Sequence, residues 1–488
     1  MNTSTLSLAS RALWAAGSLL LCGASLTAQI TPGNLVVVRI GDGSAALTNA
    51  ATPTYLDEYT TAGVLVQTIA MPTVASLPNF ALVNSGTATS EGFLNVSDNG
   101  LFLVLAGYDA QVGTPAVATT ASATNARVVG RVDLGGVVDT STALNDCYSA
   151  GNIRSATSEN GLWFWTAGTA ATNASVRFAF AGATTSTAIG SSPSNTRVVS
   201  IANRQLFVSS ATGSYQGVSQ VGTGLPNSSG QSINLLPGFP TATGPSAYDY
   251  FFADPVTLYV ADDRVNGSGG IQKWTWAAGV WTLQYTLAPA TNLGCRGLTG
   301  IDNGGLITLY ATTTQASANT IVSVADVGAG SPFTTVATAS ANTVLRGLRL
   351  VNGCPRASTE VFGHGSPNAA GTPTIACNTA FHDGTAPAVT VSGFLPSNFA
   401  FYLIGLRSAP LDLTFLGGQP GSELYLSLLA SVTVATDAGG GASLALGIPP
   451  VSTLCGAALT WQVIQVDPSL AFSLPLTTSP GLEGRIGM

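Results

Sequence analysis

The chain has 488 residues, of which only 8% are charged, while glycine, alanine, serine and threonine are abundant. This composition favours short strands and tight turns over long helices rich in salt bridges. The formal net charge is −7, from 16 lysines and arginines against 23 aspartates and glutamates, and the cationic residues form no run. Phosphate backbones would be repelled on average, so nucleic-acid binding is excluded as a function class.

The N-terminus has the layout of a secretory signal peptide. Residues 12–21 form a short apolar core behind Arg11, and small residues follow up to Ala28. We expect residues 1–28 to be a cleaved signal peptide. The mature protein is then secreted, either extracellular or at the cell surface, with the periplasm as an alternative location. No later segment has the roughly 18 apolar residues needed to cross a bilayer as a helix, so no transmembrane segment is predicted.

One strand pattern recurs along the chain. Each copy begins at a charged or polar residue, continues through a short apolar run and a turn, and ends in a more apolar run. The copies begin at Glu91, Arg154, Arg197, Tyr248 and Arg296. Their spacing of about 43 to 63 residues is typical of propeller blades. A second pair of strands with glycine-containing turns follows each copy, so each repeat is predicted to have four strands.

The two ends of this repeat region complete each other. Arg346–Val351 has the pattern of a lone first strand, whereas Leu35–Ile40 looks like a second strand that lacks its first. Tyr55–Thr60 and Val64–Ile69 supply a third and a fourth. If the N-terminal strands pair with residues 346–351, the sheets close into a ring without an exposed edge. We therefore predict an all-β fold, with a six-bladed β-propeller over residues 29–352 and seven blades as the alternative.

The pattern changes after the repeat region. Residues 353–361 are predicted to be a linker, and residues 362–488 a small C-terminal β-sandwich. Short strands separated by glycine and proline turns are expected at residues 399–406, 411–416, 423–429, 442–447 and 459–466.

Two parts of the chain resemble known proteins. Residues 34–352 resemble secreted bacterial β-propellers, including lactonase-like and quinoprotein-like ones, through the run Ser-Asp-Asn-Gly-Leu-Phe-Leu-Val-Leu-Ala at residues 97–106. This resemblance implies a blade pattern and no particular chemistry. The segments 410–425, 461–468 and 482–487 are similar to a C-terminal module of large secreted bacterial proteins that has no defined activity. That module often carries a cysteine where this chain has Ser422.

Five cysteines remain after cleavage of the signal peptide, and none of them forms a Cys-x-x-Cys motif. They are Cys147, Cys295, Cys354, Cys377 and Cys455. In an oxidising compartment one or two disulfides are expected, and the odd number leaves at least one thiol unpaired.

Candidate ligand-binding residues lie at the starts of the first strands, which line the central channel of a propeller. These candidates are Arg154, Arg197, Arg296 and Arg346, with Glu91 and Asp249 beside them. Two guanidinium groups roughly 6 Å apart repel by about 3 kcal/mol at an effective dielectric constant of about 20. A ring of such groups therefore needs carboxylates, carbonyls or an anionic ligand between its members. Two interpretations stay open: each arginine links neighbouring blades, or the ring forms an anion-binding mouth.

Other candidate sites have less support in the sequence. Asp262 and Asp263 end a strand and offer oxygen ligands for calcium, but the sequence has no Asp-x-Asp-x-Asp-Gly loop, which favours turn capping instead. Trp274 and Trp276 alternate along one strand, which suits either a carbohydrate-stacking surface or packing between blades. Both histidines, His364 and His382, lie in the C-terminal region. The propeller thus has no histidine base, and no catalytic residue is assigned.

The leading functional hypothesis is a non-enzymatic extracellular propeller that presents a binding surface. Its partner would be a polysaccharide, an anionic ligand or a cell-surface component, and the C-terminal domain would serve attachment or sorting. A first alternative is a secreted hydrolase or lyase that acts on carbohydrate or lactone at the channel mouth. A second is a structural component of the cell envelope.

Overall fold

A computed structural model describes residues 29–172, 174–265, 267–289, 293–351, 357–382, 385–449, 454 and 456–487. The predicted signal peptide, residues 353–356 of the predicted linker, Cys354 and Cys455 lie outside the described residues. Strands dominate the described part, and its helices are two short 3-10 turns at Val117–Thr119 and Thr414–Leu416. The all-β class is thus confirmed. Neither turn approaches the length and hydrophobicity that a helix needs to cross a bilayer.

The first half of the repeat region contains the strands β1 (Leu35–Ile40), β2 (Ala51–Tyr59), β3 (Leu65–Ala70), β4 (Val83–Ser85), β5 (Asn95–Val96), β6 (Phe102–Tyr108), β7 (Arg127–Asp133), β8 (Val138–Leu144), β9 (Ile153–Thr157), β10 (Trp163–Gly168), β11 (Arg177–Phe180) and β12 (Thr187–Ala188). The second half contains β13 (Val199–Ala202), β14 (Gln205–Thr212), β15 (Tyr215–Val221), β16 (Ile233–Leu235), β17 (Ala247–Asp254), β18 (Thr257–Asp262), β19 (Gly270–Ala277), β20 (Val280–Leu287), β21 (Cys295–Asp302), β22 (Ile307–Thr313), β23 (Thr320–Ala325), β24 (Phe333–Thr338) and β25 (Val344–Leu350).

These strands form antiparallel sets of four, which we call units. Four units are separate sheets made of β9–β12, β13–β16, β17–β20 and β21–β24. A fifth unit contains β5–β8, and a sixth contains β25, β1, β2 and β3. The short β4 pairs with both β2 and β6 and joins these last two units into one sheet. Six units are therefore present among the described residues.

The ring closes where the sequence predicts. β1 pairs antiparallel with β25, with Leu35 opposite Leu350, Val37 opposite Leu348 and Ile40 opposite Val344. On its other side β1 pairs with β2. This strand is almost wholly buried, because it lies between two neighbours in its sheet and between packed units. The predicted partnership of 35–40 with 346–351 is thus confirmed.

The units are arranged as a β-propeller. The first strands of consecutive units contact each other, as for β17 with β21, β21 with β25, β25 with β5, β5 with β9, and β9 with β13. Apolar side chains from adjacent units fill the space between them. One such cluster joins Phe93, Val198, Tyr250 and Trp274 from three units. The predicted blade number, six with seven as the alternative, stays a prediction.

The C-terminal region contains the strands β26 (Ser358–Phe362), β27 (Thr374–Cys377), β28 (Ala388–Ser392), β29 (Phe399–Asp412), β30 (Glu423–Ala435), β31 (Ala442–Ala445), β32 (Ala458–Val466), β33 (Leu476–Thr478) and β34 (Gly481–Arg485). One sheet has the order β26-β34-β32-β29-β30, with β33 paired to β32, and a second has the order β27-β28-β31. The two sheets enclose an apolar core that includes Val389, Tyr402 and Trp461. This is a small β-sandwich.

Two local predictions in this region are wrong. Residues 358–361, assigned to the linker, belong to β26, which pairs with β34 at the far end of the chain. Residues 411–416 are not a separate strand, since Leu411 and Asp412 end the long β29 and residues 414–416 form a 3-10 turn. Local hydrogen bonds from the Leu416 and Gly418 amides to the Leu413 carbonyl take the place of a strand ladder there.

Three cysteines are free thiols in the described residues. These are Cys147, Cys295 and Cys377. Burial raises the pKa of the Cys147 thiol to about 12, so it stays protonated and unreactive at neutral pH. The expectation of at least one unpaired thiol is therefore met by these three cysteines.

We expect ring closure to be sensitive to a single methyl group at Gly347. Its amide donates to the Gly92 carbonyl of the next unit at 3.0 Å. A Cβ at this position would lie 2.6 Å from the Phe93 Cα and against the Leu94 amide nitrogen. Gly347→Ala should lower the free energy of unfolding by about 1–3 kcal/mol, because backbone must move to relieve the contact. Urea denaturation provides the measurement.

Gly330→Ala is the matched control, since a Cβ there meets no atom within 4 Å. If both variants unfold at the same urea concentration, close packing between β25 and β5 is not what limits the stability of the ring.

Candidate functional site

The middle of the channel is occupied by a buried ion pair. Asp249 on β17 accepts two hydrogen bonds from the Arg349 guanidinium on β25, at 2.6 and 2.9 Å. The same carboxylate also accepts the Leu298 and Tyr250 amides. Burial raises the pKa of Asp249, while the guanidinium and the two amides oppose that rise. The pair is a bidentate salt bridge, and charge-assisted hydrogen bonds of this type are stronger than those between neutral groups.

A buried asparagine extends this pair to the remaining units. Arg349 also donates to the Asn95 side-chain oxygen on β5 at 2.7 Å and to the Leu298 carbonyl on β21 at 2.8 Å. The Asn95 amide in turn donates to the Ala156 carbonyl on β9 and the Val199 carbonyl on β13. We call the three residues Asp249, Arg349 and Asn95 the hub. Together they contact the first strand of every unit.

The sequence prediction placed Asp249 at the channel mouth, and this is wrong. The register of β17 shifts between Ala247 and Tyr250, and Asp249 lies in that interval, inside the channel. There it meets Arg349 rather than the four candidate arginines. Arg349 and Asn95 were missed by the sequence analysis.

The four candidate arginines do gather at one end of the channel, which we call the mouth. Arg154 donates to the Thr196 carbonyl at 2.9 Å and Arg197 to the Ala247 carbonyl at 2.9 Å. Arg346 donates to the carbonyls of Ser85, Gly86 and Glu91 at 3.1–3.4 Å. Each of these arginines reaches a carbonyl at the start of the next unit, Arg346 through Glu91, so they link neighbouring units as one interpretation predicted.

Arg296 departs from this pattern. Its Nε donates to the Asp263 carboxylate at 3.3 Å, and its Nη1 donates to the Thr314 carbonyl at 3.0 Å. Its guanidinium lies on one side of the mouth, 5.8 Å from the centre of the Tyr248 ring. Arg197 is closer to the same ring, at 3.9 Å. Tyr248 thus brings two cationic side chains together by cation–π contacts.

The other two arginines are deeper. Arg154 is 9% exposed and Arg346 is 3% exposed. The pKa of each is lowered to about 10, mainly by burial and in part by a nearby guanidinium, Arg197 for Arg154 and Arg296 for Arg346, while the charge of Glu91 opposes the change. Both stay protonated at neutral pH, so Arg154 lies near a like charge at Arg197, and Arg346 near one at Arg296.

Glu91 is the buried acid of the mouth. Its carboxylate accepts the Tyr108 hydroxyl at 2.6 Å, the Ser85 amide at 2.9 Å and the Asn152 side-chain amide. Burial raises the pKa of Glu91, while these donors and the charge of Arg346 counteract the rise. The mouth therefore has four arginines against two carboxylates, Glu91 and Asp263. Its local charge is opposite in sign to that of the whole chain.

A cavity of about 620 Å³ lies at the other end of the first strands. The residues that line it include Asp98, Tyr250, Phe252, Asp302, Arg349 and His382. His382 comes from the sandwich, so the C-terminal domain borders this cavity. The Tyr250 hydroxyl is buried beside this cavity.

The remaining candidates have structural partners. Both oxygens of Asp262 accept hydrogen bonds from Arg264, so a calcium ion would compete with that guanidinium for them. Within the described ranges no group of three or more metal-ligating side chains is positioned to hold an ion. Trp274 stacks on Phe239 at 4.0 Å and is 4% exposed, which fits packing between units.

No protein-family model matches the chain, and no curated protein is similar to it in sequence. A sialidase of Trypanosoma rangeli in complex with the inhibitor DANA is 10% identical, over 94% of this chain and 92% of its own, with a TM-score of 0.38. A protein from Lactobacillus plantarum is 15% identical, over 84% and 99%, with a TM-score of 0.36. Hydrazine synthase of Kuenenia stuttgartiensis is 12% identical, over 62% and 76%, with a TM-score of 0.33. Similarity this low carries no argument about activity, and the fold assignment rests on the strand pairing.

We expect the hub to dominate the stability of the ring. Arg349→Met leaves the Asp249 carboxylate buried without its cation, so the free energy of unfolding should fall by about 3–5 kcal/mol. The double variant Asp249→Leu/Arg349→Met should recover part of this loss, because no charge then stays buried. Urea denaturation of the three proteins at neutral pH measures both effects.

Arg204→Met is the control, since that side chain is 47% exposed and pairs with Glu159 at the surface. Its effect should be below about 1 kcal/mol. A loss for Arg349→Met that is no larger than the loss for Arg204→Met would contradict the role of the hub.

Glu91 should make stability depend on pH in a defined direction. Because burial raises its folded-state pKa above the ordinary value of 4.5, the folded protein holds this proton more tightly than the unfolded chain. The resulting stabilisation is present below that value and is lost as the pH rises through the folded-state pKa. Glu91→Gln should therefore gain stability relative to wild type as the pH rises, in thermal unfolding scans from about pH 4 to pH 8.

Tyr108→Phe serves as the opposing variant. It removes a hydroxyl that stabilises the Glu91 carboxylate, so its loss of stability with rising pH should be steeper than that of wild type. A stability difference between wild type and Glu91→Gln that is constant with pH would contradict this assignment.

Proposed function

We propose that this protein is a secreted, non-enzymatic β-propeller that binds a carboxylate- or sulfate-bearing anion, of the kind found in acidic polysaccharides, at the mouth. The observation that carries the proposal is the surplus of positive charge there. Three of the four arginines are bound by carbonyl groups, which satisfy hydrogen bonds without neutralising a charge. An anion placed among them would relieve the repulsion between Arg154 and Arg197 and between Arg346 and Arg296.

The half-buried arginines have donors left for such an anion. Among the described residues, only Nη1 of Arg197 has hydrogen-bond partners, the Ser246 hydroxyl and the Ala247 carbonyl. Nη2 of Arg296 has none in the same part of the chain, since its contacts use Nε and Nη1. Guanidinium groups bind carboxylate and sulfate oxygens in two-pronged geometry. Their contacts with Tyr248 hold them in place before a ligand arrives, which lowers the entropic cost of binding.

The hydrogen-bond partners of the two carboxylates at the mouth favour binding without turnover. Glu91 is buried and accepts three donors, and Asp263 is paired with Arg296. Both carboxylates at the described mouth thus have partners within the chain, and no unpaired carboxylate stands beside them there as the second group that glycoside hydrolysis uses. His364 and His382 belong to the sandwich. A hydrolase or lyase remains the alternative function, and a structural envelope component is the second.

Attachment by the C-terminal domain is compatible with an accessible mouth. The sandwich borders the cavity at the opposite end of the channel through His382. A protein anchored or sorted through this domain would present its mouth to the surroundings. Export is supported by the layout of residues 1–28.

Polygalacturonate and dextran sulfate are suitable anionic probes, with uncharged dextran as the control polymer. We expect the purified protein to bind at least one polyanion and not dextran, with an affinity that falls as salt is added. Arg197→Gln and Arg296→Gln should each weaken binding by about 10- to 100-fold, because each removes a charged donor. Isothermal titration calorimetry measures the affinities, and reducing-end assays on the same mixtures measure turnover.

Arg407→Gln is the matched control, because this arginine is 42% exposed and lies in the sandwich. Turnover of a polymer would replace the binding function with the hydrolase or lyase alternative. Absence of binding to both polyanions would contradict the proposal, as would a variant at Arg197 that lowers the melting temperature but leaves affinity unchanged.

A further inference from the structure

We propose that the cavity beside the hub binds an amino sugar, a small ligand that carries both ammonium and hydroxyl groups. The cavity has a volume of about 620 Å³ and lies at the end of the channel opposite the mouth. Pockets of roughly 300–1,000 Å³ hold small organic ligands in proteins. A ligand can enter at the rim, where Asp302 and His382 are exposed. The proposal is independent of anion binding at the mouth, because the two sites share no side chain.

The charge at the cavity is opposite in sign to the charge at the mouth. Two carboxylates, those of Asp98 and Asp302, line it. Arg204 lies 3.7 Å from the Asp98 carboxylate but is closer to Glu159, at 3.0 Å. Asp302 has no cationic partner among the described residues, and its Oδ1 accepts the Gly305 amide at 2.6 Å. This end of the channel therefore attracts a small cation.

Asp98 is a carboxylate with too little positive charge around it. Burial raises its pKa and Glu159 raises it further, while Arg204 and Arg485 offset only part of this rise. An ammonium group in the cavity would stabilise the charged form of Asp98 and would itself gain a charged acceptor. The ligand that suits this carboxylate is thus an amine.

The cavity also offers hydrogen-bond donors, which an amine alone cannot use. Arg349 lines the cavity, and its charge is balanced by Asp249. Both terminal nitrogens of Arg349 bind within the channel, whereas its Nε donates to no group among the described residues. The Ser200 hydroxyl, which also belongs to the lining, donates to none there either. Sugar hydroxyls accept hydrogen bonds from such donors, so the ligand is expected to carry hydroxyls as well.

An aromatic side chain completes the fit to a sugar. Phe252 lines the cavity, and its ring packs on Phe207 at 4.8 Å and on Trp281 at 6.0 Å between ring centres. These contacts hold the ring in place before a ligand arrives. A fixed aromatic ring suits the apolar C–H face of a sugar and also attracts an ammonium group. Further apolar lining comes from Ile201, Phe251 and Ile301.

Isothermal titration calorimetry with three probes tests this inference. The disaccharide of glucosamine carries ammonium and hydroxyl groups, cellobiose carries hydroxyls alone, and putrescine carries ammonium groups alone. At about pH 6, where the amines are protonated, the glucosamine disaccharide should bind at least about 10-fold more tightly than either other probe.

Asp302→Asn should weaken binding of the glucosamine disaccharide by about 10-fold or more, because a charged acceptor becomes neutral. The asparagine keeps a side-chain oxygen for the Gly305 amide, so the melting temperature should stay that of wild type. Unchanged affinity in this variant would overturn the inference.

Asp254→Asn is the matched control. Like Asp302, Asp254 is the last residue of the first strand of its unit and caps a turn, through the Val256 amide at 2.7 Å. It lies outside the cavity lining, so this variant should bind the disaccharide as wild type does. Arg197→Gln should also bind it normally, which separates this site from the mouth.

Two further results would contradict an amino-sugar site. The first is no binding of the glucosamine disaccharide up to about 10 mM, which is weaker than a specific small-molecule site requires. The second is equal affinity for cellobiose or for putrescine, because the carboxylates or the hydroxyl contacts would then contribute nothing to recognition.

Discussion

The ion pair between Asp249 and Arg349 is the contact on which the arrangement of the first strands depends. Removing two charges from water costs several kcal/mol per ion. The pair therefore stabilises the folded protein only if its geometry is close to ideal and its remaining hydrogen-bonding groups are satisfied. Here two guanidinium nitrogens of Arg349 donate to the two carboxylate oxygens of Asp249, and two backbone amides donate to the same oxygens. The side-chain amide of Asn95 extends the network to two further units by donating to a carbonyl in each. A network in which each member is satisfied specifies one arrangement, because any shift of a unit leaves a buried polar group unpaired.

The hub also divides the channel into two ends with different character. The starts of the first strands carry arginines that contact backbone carbonyls of the next unit. Their other ends border a cavity that the sandwich helps to enclose. Asp249 is fully buried between these ends, whereas its partner Arg349 lines the cavity. The hub therefore lies between the mouth and the cavity.

Strand order and ring closure were predictable from the sequence because they follow local periodicity. Leu35–Ile40 and Arg346–Val351 each show the apolar pattern of one strand, and a count of strands per repeat identifies them as partners. The hub was not predictable in this way. Asp249 and Asn95 lie 100 and 254 residues from Arg349 in sequence. No local pattern connects residues so distant, although an arginine inside the buried strand β25 does indicate that a buried acceptor must exist somewhere.

The errors in the sandwich have the same origin. Residues 358–361 resemble a polar linker in isolation, and only their pairing with β34 makes them a strand. Conversely, Leu-Asp-Leu-Thr-Phe-Leu at residues 411–416 alternates like a strand, but Gly417 adopts a φ of +87° and ends a turn there. Pairing with a distant strand makes residues 358–361 a strand, and backbone geometry makes residues 414–416 a turn. Neither the distant partner nor the backbone geometry can be read from the local pattern of side chains.

The mouth shows why the two interpretations of the arginines are not exclusive. An arginine that links units through a carboxylate loses its net charge to that partner. One that links them through carbonyls, as Arg154, Arg197 and Arg346 do, keeps its charge. Because units of a propeller present carbonyls at their strand ends, linking of this kind concentrates positive charge at one end of the ring. On a chain with a net charge of −7, this concentration of cationic side chains is the feature on which the proposed anion binding rests.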